Sequence, residues 1–178
     1  FEFLVPITIN GATQNMRVRN VYDGDTSFAH KIAGTEYNTT SSFIYNLILG
    51  NNAGGTITGG SGTDVLIGGN GNDTIIGGGS GDIIIGGAGI DTVSYAGSAY
   101  AVSVDLSLTT AQFGGDANGD YLSSIENIIG SAIGDNLTGN SGNNKITGGG
   151  GNDRLTGGAG DDKFILSYSD GVDIILNP

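Results

Sequence analysis

The chain has 178 residues, of which 35 are glycine, and it contains neither cysteine nor tryptophan. Its 18 acidic residues outnumber 6 lysines and arginines, which gives a formal net charge of -12. The lack of cysteine excludes disulfide scaffolds and thiolate metal sites, and the negative charge argues against a nucleic-acid or anionic-membrane partner. No apolar run reaches the ~18 residues of a membrane-spanning helix, so we expect no membrane span.

Residues 1–49 carry no repeat and are predicted to form a β-rich cap or the end of a preceding domain. Apolar residues alternate over 3–9, which predicts a strand with one buried face. A second strand is indicated within 16–21, and a third within 43–49 leads into the repeats.

Residues 50–94 contain the first run of a nine-residue repeat. Its units, with positions numbered from Gly59, read GGSGTDVLI, GGNGNDTII, GGGSGDIII and GGAGIDTVS, and a degenerate unit, GNNAGGTIT, precedes them. Position 6 holds the acids Asp64, Asp73, Asp82 and Asp91. Position 8 holds the apolar residues Leu66, Ile75, Ile84 and Val93.

The composition of one unit predicts a turn followed by a short strand. Glycine adopts positive φ at little steric cost, so positions 1–6 form a turn, and the β-branched and apolar residues at positions 7–9 form a strand. Neighbouring residues of a strand point to opposite faces, so position 8 points inward. Two units then close one coil of 18 residues, and alternate units stack at about 4.8 Å. The sequence therefore predicts an all-β solenoid.

One outward face of the first run is apolar. It is formed at positions 7 and 9 by Val65, Ile67, Ile83 and Ile85. An exposed apolar patch of this kind needs a cover, and we expect residues 1–49 to pack there as a cap. The alternatives are a partner protein or a second copy of the chain.

The spacer, residues 95–129, breaks the nine-residue phase but is predicted to continue the solenoid. Alternating Val102, Val104, Leu106 and Leu108 indicate a half-buried strand, and Ile125, Ile128 and Ile129 indicate another rung. Between them, Asp116, Asn118 and Asp120 have the i, i+2, i+4 spacing of a loop calcium site. A solvated turn is the alternative for these three residues.

Residues 130–178 contain the second run, with units GSAIGDNLT, GNSGNNKIT, GGGGNDRLT and GGAGDDKFI. Position 6 holds Asp135, Asn144, Asp153 and Asp162, and position 8 holds Leu137, Ile146, Leu155 and Phe164. The closing segment contains Asp170, Gly171, Asp173 and Ile175 in a DGxDxI pattern. We expect Asp173 either to complete a half-site with Gly149, Gly151 and Asp153 or to cap the end of the solenoid.

Stacking places the acids of alternate units close together. Two carboxylates repel by ~3 kcal/mol at ~5 Å with an effective dielectric constant of ~20, and ordering each glycine turn costs further entropy. Calcium takes about six to eight oxygen ligands, from carboxylates and main-chain carbonyls alike, and the glycine turns offer both. The sequence therefore predicts several bound calcium ions. The alternative is a glycine-rich solenoid with solvated acids.

The units resemble the GGxGxDxUx nonapeptide of the RTX (repeats-in-toxin, haemolysin-type) calcium-binding family, closely over 59–94 and 130–165. The resemblance implies a parallel β-roll, to which residues 1–49 would add the predicted N-terminal β cap. It also implies that each ion lies between two loops that are two units apart. The implied ligand sets are Gly60, Gly62 and Asp64 with Gly77, Gly79 and Asp82; Gly69, Gly71 and Asp73 with Gly86, Ala88 and Asp91; Ser131, Ile133 and Asp135 with Gly148, Gly150 and Asp153; and Asn140, Gly142 and Asn144 with Gly157, Ala159 and Asp162.

The same resemblance implies a function. Such modules belong to bacterial proteins that leave the cell through a type I secretion apparatus and fold outside it as they bind calcium, on an adhesin, an S-layer protein, a toxin or an enzyme. No zinc, GxSxG or phosphate-loop motif is present, so we expect no catalysis within this chain. The alternative function is recognition, in which the solenoid faces of an adhesin bind a polysaccharide or a surface.

Overall fold

The computed structural model describes residues 2–9, 12–19, 30–38, 41–50, 53–166 and 171–176. Short strands separated by glycine turns make up most of this described part. The strands are β1 (Glu2–Ile9), β2 (Ala12–Arg19), β3 (His30–Asn38), β4 (Ser41–Leu49), β5 (Thr56–Ser61), β6 (Asp64–Gly69), β7 (Thr74–Gly79), β8 (Ile83–Gly87), β9 (Thr92–Ser94), β10 (Ser103–Asp105), β11 (Tyr121–Ser123), β12 (Asn127–Ile129), β13 (Asn136–Thr138), β14 (Lys145–Thr147), β15 (Arg154–Thr156), β16 (Lys163–Ile165) and β17 (Ile174–Leu176).

The strands form three sheets that wind into a parallel β-roll. Sheet I has the order β1-β2-β3-β4-β6-β8-β11, sheet II the order β5-β7-β9-β12-β14-β16, and sheet III the order β10-β13-β15-β17. Each coil takes one strand from sheet II and the other from sheet I or sheet III. Sheet II therefore runs through both repeat runs and the spacer, which makes them one solenoid.

The register between strands confirms the predicted coil of two units. Ile57 lies opposite Ile75, and Leu66 lies opposite Ile84, in parallel pairs 18 residues apart. The side chains at position 8 form one continuous core, which includes Leu66, Ile75, Ile84, Val93, Leu137, Ile146 and Leu155, all fully buried. Phe164, in the last coil, is partly buried against the same core. The nine-residue apolar period therefore predicts the part of the core that lies within the two runs.

The spacer keeps the stack although it breaks the period. Strand β12 pairs in parallel with β9 on one side and β14 on the other, as the run around Ile128 predicted. The strand predicted from Val102 to Leu108 is wrong in its length, because β10 covers Ser103–Asp105 only. The carboxylate of Asp105 accepts hydrogen bonds from the Ser107 amide at 2.8 Å and the Ser107 hydroxyl at 2.6 Å, and this local turn ends the strand.

A buried glutamine joins sheet I to sheet III. The main-chain amide of Gln112 donates to the carbonyl of Asp120, immediately before β11. Its side-chain oxygen accepts from the Asp105 amide at 2.7 Å, and its side-chain nitrogen donates to the Asp105 carbonyl at 3.2 Å. Gln112 thus satisfies main-chain groups at the point where one sheet ends and the next begins. The sequence reading did not single it out, since it belongs to no repeat.

The N-terminal strands extend sheet I beyond the first coil. Strands β1 to β4 pair antiparallel in sequence, and β4 then pairs in parallel with β6, with Leu47 opposite Val65. The strands predicted within 3–9 and 43–49 are confirmed as β1 and β4. Strand β3 was missed, since His30–Asn38 has no alternation of apolar and polar residues.

The apolar outward face of the first run is not open to solvent. Leu47 and Val65 are buried, and Leu49, Ile67 and Ile83 are partly buried against them. The pairing of β4 with β6 is edge to edge, so it brings Leu47 and Leu49 into this face without laying a layer over it. The proposal that residues 1–49 cover the face therefore stays a prediction.

Position 2 of the repeat lies where two stacked turns come closest. A Cβ atom added to Gly78 would overlap the carbonyl oxygen of Gly60, and Gly78 has a φ of 101°. The same overlap recurs 18 residues apart between Gly87 and Gly69, and between Gly158 and Asn140. In the later turn of each of these pairs, position 2 therefore excludes a side chain both by backbone conformation and by close approach, whereas Asn140, in an earlier turn, carries one.

We expect Gly78→Ala to lower the free energy of unfolding by about 2–3 kcal/mol, since it combines the clash with an unfavourable φ. Gly60→Ala, at a φ of 113° with no atom within 4 Å, should cost about 1 kcal/mol. Gly79→Ala, which meets no atom within 4 Å, serves as the matched control and should change stability by less than about 0.5 kcal/mol. Denaturant unfolding in saturating calcium measures all three, and equal losses for Gly78→Ala and Gly79→Ala would contradict this reading of the stack.

Candidate metal centres

The acids of position 6 form a ladder of side chain to main chain hydrogen bonds. In each bond, the amide of one position 6 residue donates to a carboxylate oxygen of the residue one coil further on. The bonds within the runs join Asp64 to Asp82 at 2.8 Å, Asp73 to Asp91 at 2.8 Å, Asp135 to Asp153 at 2.8 Å and Asn144 to Asp162 at 2.9 Å. The side chains of position 6 are thus directed into the turns.

The spacer and the C-terminal segment extend this ladder. The Asp82 amide donates to Asp120 at 2.8 Å and the Asp91 amide to Glu126 at 2.8 Å. At the far end, the Asp153 amide donates to Asp173 at 3.0 Å. Asp173 therefore continues the acid column, its two predicted roles as half-site ligand and as end cap stay predictions, and Asp170 lies outside the described residues.

Glu126 was missed in the sequence because the spacer is out of phase with the repeat. The signal that could have found it is its place before Asn127–Ile129, a polar-apolar-apolar triplet that repeats positions 7–9. Asp120 holds the same place before Tyr121–Ser123.

Three aspartates of the first run each keep one buried oxygen without a hydrogen bond. These are the Oδ2 atoms of Asp73, Asp82 and Asp91, and none has a partner within the described part of the chain. A buried carboxylate oxygen without a partner costs several kcal/mol if the group is ionised. In the first run, these carboxylates therefore carry buried negative charge that a bound cation would neutralise.

The second run begins differently. Both oxygens of Asp135 accept hydrogen bonds from Ser131, from its hydroxyl at 2.9 Å and its amide at 2.6 Å. The side chain of Asn144 is also engaged, because it accepts from the Asn140 amide and donates to the Glu126 carbonyl, both at 2.8 Å. These two turns are satisfied by the protein itself.

Burial raises the pKa values of several carboxyl groups in the ladder. Burial raises the pKa of Asp82 to about 7, and the nearby carboxylates of Asp120, Asp64 and Asp116 raise it further against the lowering effect of its main-chain hydrogen bond. Burial also raises the pKa of Asp120 to about 6, with a contribution from Asp116. The pKa values of Asp73 and Asp135 are raised for the same main reason. Without a cation, these groups hold their charge at a cost.

The turns place carbonyl oxygens beside the carboxylates. A Cβ atom on Gly68 would lie 2.6 Å from Oδ2 of Asp73 and would overlap the carbonyl oxygen of Gly86, one coil away. Gly77 and Gly130 lie against the carboxylates of their own units in the same way. Within the described ranges, no three His, Cys, Asp or Glu side chains converge on one point. Main-chain and carboxylate oxygens together are the donors that a hard cation such as calcium takes.

The structure stacks the predicted pairs of turns on one another. Gly60 pairs with Gly78, and the Gly62 amide donates to the Gly79 carbonyl at 3.2 Å. The Ala88 amide likewise donates to the Gly69 carbonyl at 2.8 Å. The turns of the four implied sites are thus brought together, and the assignment of individual carbonyls as ligands stays a prediction.

The three predicted ligands of the spacer loop lie in different surroundings, and their role in binding calcium stays a prediction. Asp120 is fully buried, and its Oδ2 accepts from the hydroxyl of Tyr95 at 2.9 Å. Asn118 is exposed, and Asp116 lies in a 3-10 turn, Gly115–Ala117. The physical reason is that this loop stacks on the turn before β8, which directs Asp120 inward and leaves Asn118 outside.

Comparison with known proteins agrees with this geometry. A family model described as the RTX calcium-binding nonapeptide repeat (4 copies) matches residues 58–93 and 129–164. No curated protein matches the chain. In the described part, no helix has the length and apolar character needed to cross a bilayer. The match and the stacked acid ladder assign the same residues to the same repeat. Both runs are therefore RTX calcium-binding nonapeptide repeats, and they form a parallel β-roll.

Proposed function

We propose that this chain is a calcium-driven folding module of a secreted bacterial protein. In this proposal the chain is largely unfolded in the low calcium of the cytosol, leaves the cell through a type I secretion apparatus, and folds outside as calcium binds. The single observation that carries it is the set of buried, unpartnered Oδ2 atoms of Asp73, Asp82 and Asp91. Secretion is supported only by the membership of the repeats in a family typical of exported proteins.

The free-energy cost of burying those ionised carboxylates explains why the chain would fold only when calcium is bound. Each ionised, buried carboxylate opposes folding by several kcal/mol, whereas a small domain is stable by only about 5–15 kcal/mol in total. Three such groups in one run are enough to offset the gain from the thin core. A divalent cation between stacked turns reverses the sign of this contribution, and its binding free energy becomes folding free energy.

The first test is a calcium titration of the chain, followed by far-UV circular dichroism and small-angle X-ray scattering, with magnesium as the control ion. We expect a cooperative gain of β-structure with calcium alone. The radius of gyration should fall from the ~45 Å of an unfolded chain of this length towards the ~16 Å of a compact one. A chain that is already compact and β-rich in chelator would overturn the proposal.

Substitution within the acid ladder gives a second prediction. Asp73→Asn keeps an oxygen to accept from the Gly55 amide but removes the charge and the second carboxylate oxygen. We expect the calcium concentration at the folding midpoint to rise about tenfold. Asp161→Asn, which makes the same charge change at an exposed position, is the matched control and should shift the midpoint by less than twofold. Equal midpoints for the two variants would count against the role of the ladder.

The pH dependence separates folding coupled to binding from binding to a preformed roll. In the folded, metal-free chain the pKa of Asp82 is raised to about 7, against ~3.9 for an unfolded aspartate. A carboxyl group whose pKa is raised by folding opposes folding above the raised value, and this cost disappears as the pH falls towards the unfolded value. A preformed metal-free roll would therefore take up protons below pH ~7, and calcium would have to displace them.

An unfolded chain and a calcium-loaded roll both keep these carboxylates ionised above pH ~5. We therefore expect the calcium midpoint, followed by circular dichroism, to change by less than about twofold between pH 8 and pH 5.5. A midpoint of calcium binding, followed with a calcium-selective electrode, that rises by about tenfold per pH unit below pH 7 would show that calcium binds a roll that is already folded.

A further inference from the structure

A nine-residue segment of the spacer folds as an additional repeat unit. Residues 115–123, GDANGDYLS, lie outside both family matches, yet β11 pairs in register with β8. The Tyr121 amide donates to the Asp82 carbonyl at 2.8 Å, as the Thr92 amide donates to the Asp73 carbonyl at 2.8 Å within the first run. Asp120 therefore occupies position 6 of a unit that replaces the usual partner of the turn before β8.

The two turns approach each other closely. A Cβ atom on Gly81 would lie 2.8 Å from the carbonyl oxygen of Gly119. Gly119 has a φ of 98° and Gly115 a φ of 45°, so glycine turns the backbone on the spacer side as it does in the repeats. The spacer unit thus offers main-chain oxygens as well as a carboxylate to the turn before β8.

The charges between these turns are negative. Asp82 is fully buried, its Oδ2 has no hydrogen-bond partner within the described residues, and Asp120 is fully buried beside it. The carboxylate of Asp116 is near enough for its charge to act on both. The oxygens of Asp120 each accept one hydrogen bond, from the Asp82 amide and the Tyr95 hydroxyl, and each keeps a second lone pair for a metal.

We propose that a calcium ion binds between the turn at 77–82 and the spacer loop at 115–120, with Asp82 and Asp120 as its carboxylate ligands and main-chain carbonyls completing its shell. Asp116 adds negative charge to the site without needing to reach the ion. This inference rests on the proposed function, because it extends the calcium array beyond the recognised repeats. It also gives the spacer a role, since sheet I ends at β11 and this ion would fix the last strand of that sheet.

Tyr95 provides a probe for this site. Its buried hydroxyl contacts Asp120, so its ring lies within a few ångströms of the proposed ion. Terbium replaces calcium at oxygen sites and emits light when a neighbouring tyrosine absorbs. The experiment is a terbium titration of the full chain with tyrosine excitation, on the wild type, Tyr95→Phe and the matched control Tyr100→Phe, whose tyrosine is 73% exposed.

We expect Tyr95→Phe to lose more than about two thirds of the sensitised emission and Tyr100→Phe to lose less than about one fifth. Asp116→Asn, which keeps Tyr95, should raise the terbium concentration at half-maximal emission by about threefold or more. The Asp116→Asn variant therefore still tests the site if Tyr95→Phe does not fold. Full emission from a folded Tyr95→Phe chain, or an unchanged midpoint in Asp116→Asn, would overturn the inference.

The same titration distinguishes failure of this inference from failure of the proposed function. If calcium and terbium leave the circular dichroism of the wild type unchanged, the folding proposal fails, and the spacer site is then decided by the emission alone, because a roll that is already folded can still bind the ion. If terbium folds the wild type but its emission does not depend on Tyr95 or Asp116, the folding proposal stands and only the spacer site is overturned.

Discussion

The structure depends on one repeated interaction, the hydrogen bond from the main-chain amide of a position 6 residue to the carboxylate one coil further on. This bond sets the register of stacked turns, as between Asp64 and Asp82 at 2.8 Å. It also forces the carboxylate inside the roll, where its second oxygen has few protein donors to meet. The fold thus creates the charge that it must then neutralise, and calcium is the neutralising group that the repeat family uses.

The glycine content follows from the same constraint. A carboxylate can enter a turn only if the facing position has no side chain, and Gly68 lies directly against the carboxylate of Asp73. Close stacking also requires the carbonyl oxygen of one turn to lie against the main chain of the turn one coil away, as the Gly60 oxygen lies against Gly78. These turns bury little apolar surface, so the core is a narrow stack, built from position 8 side chains such as Leu66 and Ile75 and from spacer side chains such as Val104 and Ile128. The thinness of this core supports the proposal that metal binding supplies a large share of the stability.

The repeats could be predicted from the sequence because each nine-residue unit is also one structural unit, a turn followed by a strand. A nine-residue phase fixed which residue of each unit is buried, and every position 8 side chain from Leu66 to Leu155 is in the core. The same phase placed Asp73 opposite Asp91 before any coordinates were known. Its physical basis is local, since turn and strand preferences agree within each unit and all units stack in the same way.

The remaining features could not be read because they depend on contacts that have no period. Gln112 joins two sheets through main-chain groups of Asp105, and nothing in its local sequence marks that role. Asp120 and Glu126 enter the acid ladder from a spacer of irregular length. Leu108 continues an alternating pattern but lies outside the strand and is 40% exposed, because the turn made by Asp105 overrides the alternation. Each of these features depends on a tertiary or local hydrogen bond that the sequence pattern does not show.

The most direct test of this account is a high-resolution crystal structure of the calcium-loaded chain, with the ions located by anomalous scattering. The account predicts calcium ions within about 2.3–2.6 Å of the Oδ2 atoms of Asp73, Asp82 and Asp91, the oxygens that have no hydrogen-bond partner in the described chain. Ions found only on the surface, with those three oxygens hydrogen-bonded to water or protein, would contradict it.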